Sequence, residues 1–252
     1  MNEINLYAYG RNTAQGKWHI DYNRIVNRLY YVNSGSAVIF NGADEYRLES
    51  GNAYIIPQCK AFQPVNAFDF DHTYFDFYSS KVLNPSILIK LDKNEIESAF
   101  FFEFINTLIE KGNKKEDLKA MEVLLSGFLS VIDNNCGPLP YITNPLITNA
   151  INIIYNGFST TTTKEISEKL NINESYLVRL FSSIMGISPM KYIRALRISH
   201  GKELLKNGCS ISDVAEKCGY SSSSSFYNAV KAELGITPSE LKKLLPVRDK
   251  YW

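Results

Sequence analysis

The chain has 252 residues, 45% of them hydrophobic, which is enough for one large hydrophobic core or two modest ones. It contains no run of about 18 apolar residues, and its start lacks the basic and apolar stretches of a signal peptide, so we expect a cytoplasmic protein without a membrane segment. The net charge of +1 hides an asymmetry, because residues 1–142 carry 13 basic and 17 acidic side chains and residues 143–252 carry 14 and 9. This asymmetry places any contact with a polyanion in the second half.

The cysteines give no sign of a metal site or a disulfide framework. The chain has four of them, none in a CxxC spacing and none with a histidine at zinc-ligand spacing: Cys59, Cys136, Cys209 and Cys218. We therefore predict reduced thiols, with no disulfide and no structural zinc.

Short segments between Arg28 and Tyr78 alternate apolar and polar residues and are separated by turn residues. This pattern is typical of antiparallel strands. Asn41-Gly42 is a strong hairpin signal, because both residues tolerate a positive φ angle. Many short strands in succession predict a small barrel or a sandwich.

After Pro85 the spacing of apolar residues becomes helical and predicts helices over Asp92 to Lys111 and Lys115 to Asn134. The second helix carries an apolar stripe that should cover the barrel or a partner subunit: Leu118, Met121, Leu125, Phe128, Leu129 and Ile132. The sequence CGPLP from residue 136 then breaks the pattern. We predict one domain over residues 1–135, a linker over 136–142 and an all-helical domain over 143–252.

The last ninety residues contain an internal duplication. Residues 165–170 (EISEKL) match residues 213–218 (DVAEKC), residues 177–181 align with 226–230, and GISP from residue 186 matches GITP from residue 235. Each copy therefore predicts a short helix, a tight turn, a longer helix and a Gly-x-Ser/Thr-Pro stop. This order is typical of a helix-turn-helix unit, whose second helix enters the major groove of DNA.

The helical spacing separates buried from outward positions in each copy. In the first copy we expect Asn173 to cap the longer helix and a buried stripe made of Leu177, Leu180, Phe181 and Ile184. In the second copy a serine run over residues 221–225 starts the helix. Pro189 to Lys206 predicts one continuous helix that sets the spacing of the two copies. Its expected inward residues are Ile193, Leu196, Leu204 and Leu205, and its expected outward residues are Lys191, Arg194, Arg197 and Lys202.

These residues resemble the AraC-type bacterial transcription regulators over about ninety residues. The resemblance rests on Phe181, Tyr192-Ile193, Arg197, Leu204-Leu205, residues 211–215 (ISDVA), Gly219-Tyr220, Ser224, Phe226 and the two stops at 186–189 and 235–238. Residues 30–36 and 51–57 also look like the cupin-type effector barrel of that family. The resemblance implies an α+β multidomain fold, with an N-terminal cupin-like barrel and its following helices before two helix-turn-helix units joined by a linker helix.

The resemblance also assigns roles to the outward residues. The expected base-reading residues are Ser175, Val178, Arg179 and Ser182 in the first copy and Ser224, Ser225 and Asn228 in the second. Arg179 can bond two acceptors of guanine, and Asn228, where the family often has arginine, would favour adenine. The expected DNA-backbone contacts are Lys191, Arg194, Tyr227 and Lys231.

The N-terminal half offers few metal ligands, since two of the three histidines, His19 and His72, lie there. Cupin enzymes need a converging set of His and Glu ligands, so we expect no metal, no cofactor and no catalysis. Aromatic and polar residues suit a small organic effector, and a sugar, an amino-acid derivative and a fatty acid all stay open. The candidate effector contacts are Trp18, His19, Arg28, Tyr30, Tyr54, Phe62, His72 and Tyr74. Alternation puts His72 and Tyr74 on one strand face and Phe75 on the other, without saying which is inside.

The sequence therefore predicts a DNA-binding transcription regulator, an activator by resemblance, controlled by a small-molecule effector. The expected partners are double-stranded DNA, the effector, RNA polymerase by resemblance and a second copy of the chain. The alternative is a cupin-fold enzyme or sugar-binding protein with an incidental helical domain.

Overall fold

A computed structural model of the chain describes residues 4–17, 26–58, 62–79, 81–93, 98–111, 117–135 and 137–244. The described residues form two compact units that meet in sequence at Thr143 and Asn144. We call residues 4–143 the sheet unit and residues 144–244 the helical unit.

The sheet unit contains a six-stranded antiparallel sheet. Its strands are β1 (Ile4–Gly16), β2 (Asn27–Asn41), β3 (Asp44–Glu49), β4 (Ala53–Ile56), β5 (Phe62–Ser79) and β6 (Ile89–Leu91). They lie in the order β1-β5-β2-β4-β6, and β3 pairs with the far half of β2. The predicted hairpin is present, because Asn41 pairs with Asp44 across Gly42, whose φ angle is +62°.

The sheet does not close into the predicted barrel. Within the described residues the outer strands β1 and β6 have no hydrogen-bonded pairing with each other, so the sheet has open edges. Closure needs the first and last strands to meet in register. Alternation along a strand predicts its two faces, but it carries no information on which edges meet.

Two helices, α1 (Ser98–Lys111) and α2 (Asp117–Asn135), follow the sheet. The predicted start of α1 at Asp92 was wrong, since residues 89–91 pair with β4 and Asp92 follows that strand outside any helix. The apolar stripe of α2 packs on the sheet rather than on a partner, in a core with Leu29, Phe75 and Phe102. The sequence allowed the stripe to cover either the sheet or a partner subunit, and the structure shows that it covers the sheet.

The segment expected to act as a linker packs against the sheet unit. Leu139 is buried in the same core as the α2 stripe. Its amide donates to the Asp133 carboxylate at 3.0 Å, and the Ile142 amide donates to the Val82 carbonyl at 2.7 Å. Residues 137–143 are therefore fixed to the sheet unit.

The helical unit consists of α3 (Pro145–Gly157), α4 (Thr163–Lys169), α5 (Glu174–Met185), α6 (Pro189–Lys206), α7 (Ile211–Lys217), α8 (Ser223–Leu234) and α9 (Pro238–Leu244). Side chains cap the starts of these helices: Asn173 accepts the amide of Ser175, as predicted, and Ser188 accepts that of Lys191. Such caps satisfy amides that would otherwise lack partners. Helix α6 has its predicted bounds.

Each helix pair has its own core. In the first, Leu177, Phe181 and Met185 are buried, and the ring of Phe181 packs edge-on against Tyr192 of α6 at 5.5 Å. In the second, Phe226 and Val230 pack with residues of α6 and α7. None of the helices in the described residues combines the length and the hydrophobicity that a membrane-spanning segment needs.

Candidate DNA interface and effector-binding face

The two helix-turn-helix copies, α4–α5 and α7–α8, have the same turn geometry. The turn after the first helix contains a left-handed residue in both, with φ +53° at Asn171 and +75° at Gly219. The next amide reaches back to the carbonyl of a small residue, from Ile172 to Ser167 at 3.0 Å and from Tyr220 to Ala215 at 2.9 Å. The duplicated sequence therefore forms a duplicated structure.

The outer face of α5 is exposed where base contacts were predicted. Ser175, Val178 and Arg179 are exposed and Ser182 is half-buried. Together with Glu174 they line a shallow groove of about 390 Å³. Glu174 was not among the predicted contacts, although its spacing of four residues from Val178 places both on one helix face.

Arg179 lies beside an aromatic residue that was also not among the predicted contacts. Its guanidinium is 5.9 Å from the ring centroid of Tyr176, which is 41% exposed. A cation over an aromatic face is held electrostatically, and this contact limits the freedom of the long side chain.

The outer face of α8 differs from that of α5. Ser224, Tyr227, Asn228 and Lys231 are exposed, and the Lys231 ammonium lies 6.0 Å from the Tyr227 ring centroid. Ser225 has a structural contact instead: its hydroxyl donates to the Ser222 carbonyl at 2.7 Å, and the two serines form a capping box. Ser225 is therefore the N3 residue of the capping box at the start of α8, in which Ser222 is the N-cap.

Helix α6 presents only part of its predicted basic face. Lys191 and Arg194 are exposed, but Lys202 is only 5% exposed and Arg197 is half-buried. The prediction that Arg197 and Lys202 point outward was wrong. Helix α6 packs against both copies, so it has no continuous polar face in its second half.

Candidate effector contacts gather on one face of the sheet. Leu29 and Phe75 pack towards α1 and α2, so the opposite face carries the alternate residues Arg28, Tyr30, His72, Tyr74 and Asp76. The partition of the two faces expected from alternation is therefore correct. Asp76, although on the predicted face, was not among the candidate contacts.

A buried ion pair lies on this face. Arg28 and Asp76 are 5% and 7% exposed, and the Arg28 Nε atom is 3.3 Å from an Asp76 carboxylate oxygen. His72 packs against the rings of Phe70 at 4.4 Å and Tyr30 at 4.8 Å. Burial lowers the pKa of His72 to about 4, so its imidazole is neutral near pH 7.

Tyr54 lies on the same face, because it is the β4 residue that pairs with Tyr30 of β2. Its hydroxyl accepts the Glu49 amide at 2.9 Å, which ties it to β3. Phe62, at the start of β5, packs instead against Tyr46 at 5.9 Å. Trp18 and His19 lie outside the described residues, as do Cys59 and Cys136. Cys209 and Cys218 are free thiols, and the described residues contain no cluster of three potential metal ligands.

Two tandem helix-turn-helix copies with exposed recognition helices define a DNA-binding protein of the helix-turn-helix class. In agreement, a helix-turn-helix domain family model matches residues 166–244. The chain is 30% identical over 236 residues to the Msm operon regulatory protein of Streptococcus mutans, a match that spans 85% of this chain and 83% of that protein. The chain belongs to the AraC-type family of transcription regulators.

Other comparisons agree with this family. The melibiose operon regulatory protein of Escherichia coli is 33% identical over 84 residues, 33% of this chain and only 28% of that protein's length. The crystal structure of ToxT from Vibrio cholerae aligns with a TM-score of 0.58 at 18% identity, over 97% of this chain and 98% of that one, so the fold is shared. The family and the Msm and melibiose operon proteins are regulators, which favours regulation over the cupin-fold enzyme considered from sequence.

Proposed function

We propose that the chain is a sequence-specific transcription activator that binds double-stranded DNA with α5 and α8. The observation that carries this proposal is the pair of matched helix-turn-helix copies with exposed recognition faces, joined by one continuous helix. Such an arrangement suits two successive major grooves on one side of DNA, about 34 Å apart. Contact with RNA polymerase and a cytoplasmic location follow from this role.

Each exposed side chain has a role in the proposal. Arg179 bonds the O6 and N7 atoms of guanine, Val178 contacts a thymine methyl group, and Asn228 bonds adenine. Ser175, Ser182 and Ser224 make adaptable hydrogen bonds to bases. Lys191, Arg194, Tyr227 and Lys231 hold the phosphate backbone.

The direct test is binding of the full chain to its own upstream region, measured by fluorescence anisotropy against a shuffled duplex. Affinity should fall steeply with salt, since each neutralised phosphate releases condensed counterions. Lys191→Ala should weaken binding to both duplexes alike, and Lys164→Ala, exposed on α4, is a control for the loss of one positive charge. Equal affinity of the wild-type chain for both duplexes would overturn sequence-specific binding.

The effector in this proposal is a neutral sugar bound at the face around Arg28 and Asp76. The two charges compensate each other, so a carboxylate ligand would have to compete with Asp76 for the guanidinium. Aromatic residues such as Tyr30 can pack against the apolar face of a sugar. Relatives include regulators of the melibiose and lactose operons, whereas one ToxT structure has a bound unsaturated fatty acid.

Calorimetric titration with melibiose, lactose and a long-chain unsaturated fatty acid separates these ligands. We expect a sugar to bind and Tyr30→Phe to weaken it by removing one hydroxyl. Tyr46→Phe, on β3, is the matched control and should leave sugar affinity unchanged. If only the fatty acid bound, the proposal of a sugar effector would be wrong.

The proposed dimer uses the solvent side of α2. Val123 and Val131 are 63% and 54% exposed, and a Cβ atom added at Gly127 would have no neighbour within 4 Å. Glu122, the one charged residue between Ala120 and Val131, is mostly buried and pairs with Lys119, which is exposed one turn before Val123. Two copies can therefore pack across a two-fold axis through the valines, with Lys119 at the edge of the contact. In sedimentation, Val123→Glu with Val131→Glu should give monomers, whereas Val65→Glu, an exposed site on β5, should not.

A further inference from the structure

The side chain of Arg197 connects α6 to the segment between α3 and α4. Its Nε atom donates to the Phe158 carbonyl at 2.7 Å, and its Nη2 atom donates to the carbonyls of Ser159 at 3.0 Å and Thr161 at 3.5 Å. Thr162, the next residue, caps α4 and so begins the first copy. Three carbonyls on one planar guanidinium fix the orientation of α6 relative to the first copy.

The same segment also contacts the turn of the second copy. A Cβ atom added at Gly219 would lie 1.6 Å from the Ser159 carbonyl oxygen, so the two backbones are in direct contact. The next residue, Tyr220, has its ring centroid 5.9 Å from the Arg197 guanidinium and 5.3 Å from the ring of Phe226 in α8. Arg197 therefore contacts both the segment before the first copy and the turn that leads into the second recognition helix.

The first copy shows that the same turn can form without a neighbouring backbone packed against it. Asn171 occupies the position that Gly219 occupies in the second copy, with a similar left-handed φ angle, and is exposed. A turn of this kind therefore accepts a side chain. The glycine of the second copy is needed because of the approach of Ser159.

We propose that Arg197 is a positioning residue that fixes the separation and rotation of α5 and α8, so that the protein accepts one spacing between its two DNA subsites. This inference rests on the proposed function, since it requires that both helices enter DNA. The guanidinium bonds the segment before α4 rather than lying on a recognition helix, so it acts through that segment. Its loss should therefore change the tolerance for spacing more than the preference for bases.

The test uses the full chain and a duplex selected by the wild-type protein from random sequences. Base pairs are added or removed between the two subsites, and binding is measured by fluorescence anisotropy at one salt concentration. Each base pair rotates the second subsite by roughly 34°. The wild-type chain should lose at least about 30-fold in affinity at a shift of two base pairs, because one recognition helix then leaves its groove.

Arg197→Ala should bind the original duplex more weakly and show a nearly flat profile, with differences of about 3-fold or less between spacings, which is under 1 kcal/mol of discrimination by the tenfold-per-1.4 rule. Arg197→Lys keeps the charge but cannot bond three carbonyls in one plane, so its profile should be intermediate. Arg194→Ala, exposed on the same helix, is the matched control. It should lower affinity at every spacing by one factor and keep the sharp profile.

A purely structural role predicts a different outcome. If Arg197→Ala lost affinity by the same factor at every spacing, Arg197 would only stabilise the fold and the proposal would be wrong. If circular dichroism shows that Arg197→Ala does not fold, Arg197→Lys and Tyr220→Leu are measured in its place. A flattened spacing profile would then support the proposal, and a uniform loss of affinity would contradict it. If the wild-type chain selected no preferred duplex, the proposed function would fail before this inference is reached.

Discussion

The two helix-turn-helix copies share one backbone plan and differ in the side chains they expose. The groove of the first copy contains Val178 and Arg179 beside an acidic residue, Glu174. The equivalent positions of the second copy are Tyr227, Asn228 and Ser223, with Lys231 one turn further on. The same backbone plan therefore presents two chemically different surfaces. We expect the first copy to discriminate between bases and the second to contribute more to holding the backbone.

The copies should differ most in how they tolerate a change in the turn. Gly219→Ala should lower the free energy of unfolding by at least about 3 kcal/mol, because it adds a left-handed strain and a collision with Ser159. Asn171→Ala, the matched change in the first copy, should cost about 1 kcal/mol, since that turn is exposed. Urea unfolding followed by circular dichroism measures both. An equal loss of unfolding free energy in the two variants would mean that the packing of Gly219 against Ser159 does not contribute to stability.

The recognition helices should differ next in base discrimination. Arg179→Ala should cost about 1 to 3 kcal/mol at the preferred duplex and relax one guanine position, because it removes a bidentate contact. Asn228→Ala should cost about 1 kcal/mol or less and affect an adenine. Competition binding with single-base variants of the duplex measures both effects. Arg179 would be a phosphate contact if its loss weakened random and preferred duplexes alike.

Variants of two neighbouring serines in α8 distinguish a role in helix capping from a role in DNA contact. Ser225→Ala should lower stability by about 1 kcal/mol, because it breaks the capping box with Ser222, and should leave base preference unchanged. Ser224→Ala should do the reverse, with stability within about 0.5 kcal/mol of wild type. Thermal unfolding and duplex binding on the same preparations distinguish them. A change of base preference in Ser225→Ala would instead support the base contact that the sequence predicts for Ser225.

The smallest expected effect is on the salt dependence of binding. Lys231→Ala should reduce the slope of log affinity against log salt by about 1, because one phosphate contact is lost. Ser182 occupies the equivalent position in the first copy, so Ser182→Lys should raise the slope by a similar amount. Unchanged slopes in both variants would show that these positions lie away from the phosphates.

The helical unit was predicted well from the sequence because its signals are local. A cap, a left-handed turn and a glycine stop act within a few residues, so the bounds of α6 and the Asn173 cap could be read from the chain. The burial of Lys202 and the partial burial of Arg197 could not be predicted in this way. The expectation of a polar face assumes that a helix buries one side, whereas α6 packs against both copies.

The sheet unit was predicted less completely because its decisive contacts are distant in sequence. Alternation separated the two faces of β5, but only the packing of Phe75 towards Phe102 of α1 shows which face is covered by helices. The ion pair between Arg28 and Asp76 joins residues 48 positions apart. The register of β2 against β5 decides which residue lies opposite Arg28. The open sheet edge has the same cause, since register is not encoded within a single strand.

Selection of preferred duplexes from a random pool by the full wild-type chain tests most directly whether the two copies read DNA together. We predict two enriched subsites whose centres are about 10 base pairs apart, so that both face one side of the DNA. One subsite should contain a strongly enriched guanine that disappears when selection is repeated with Arg179→Ala, and the other should be less constrained. Enrichment of no subsite, or of two subsites that both persist unchanged in Arg179→Ala, would contradict this mode of binding.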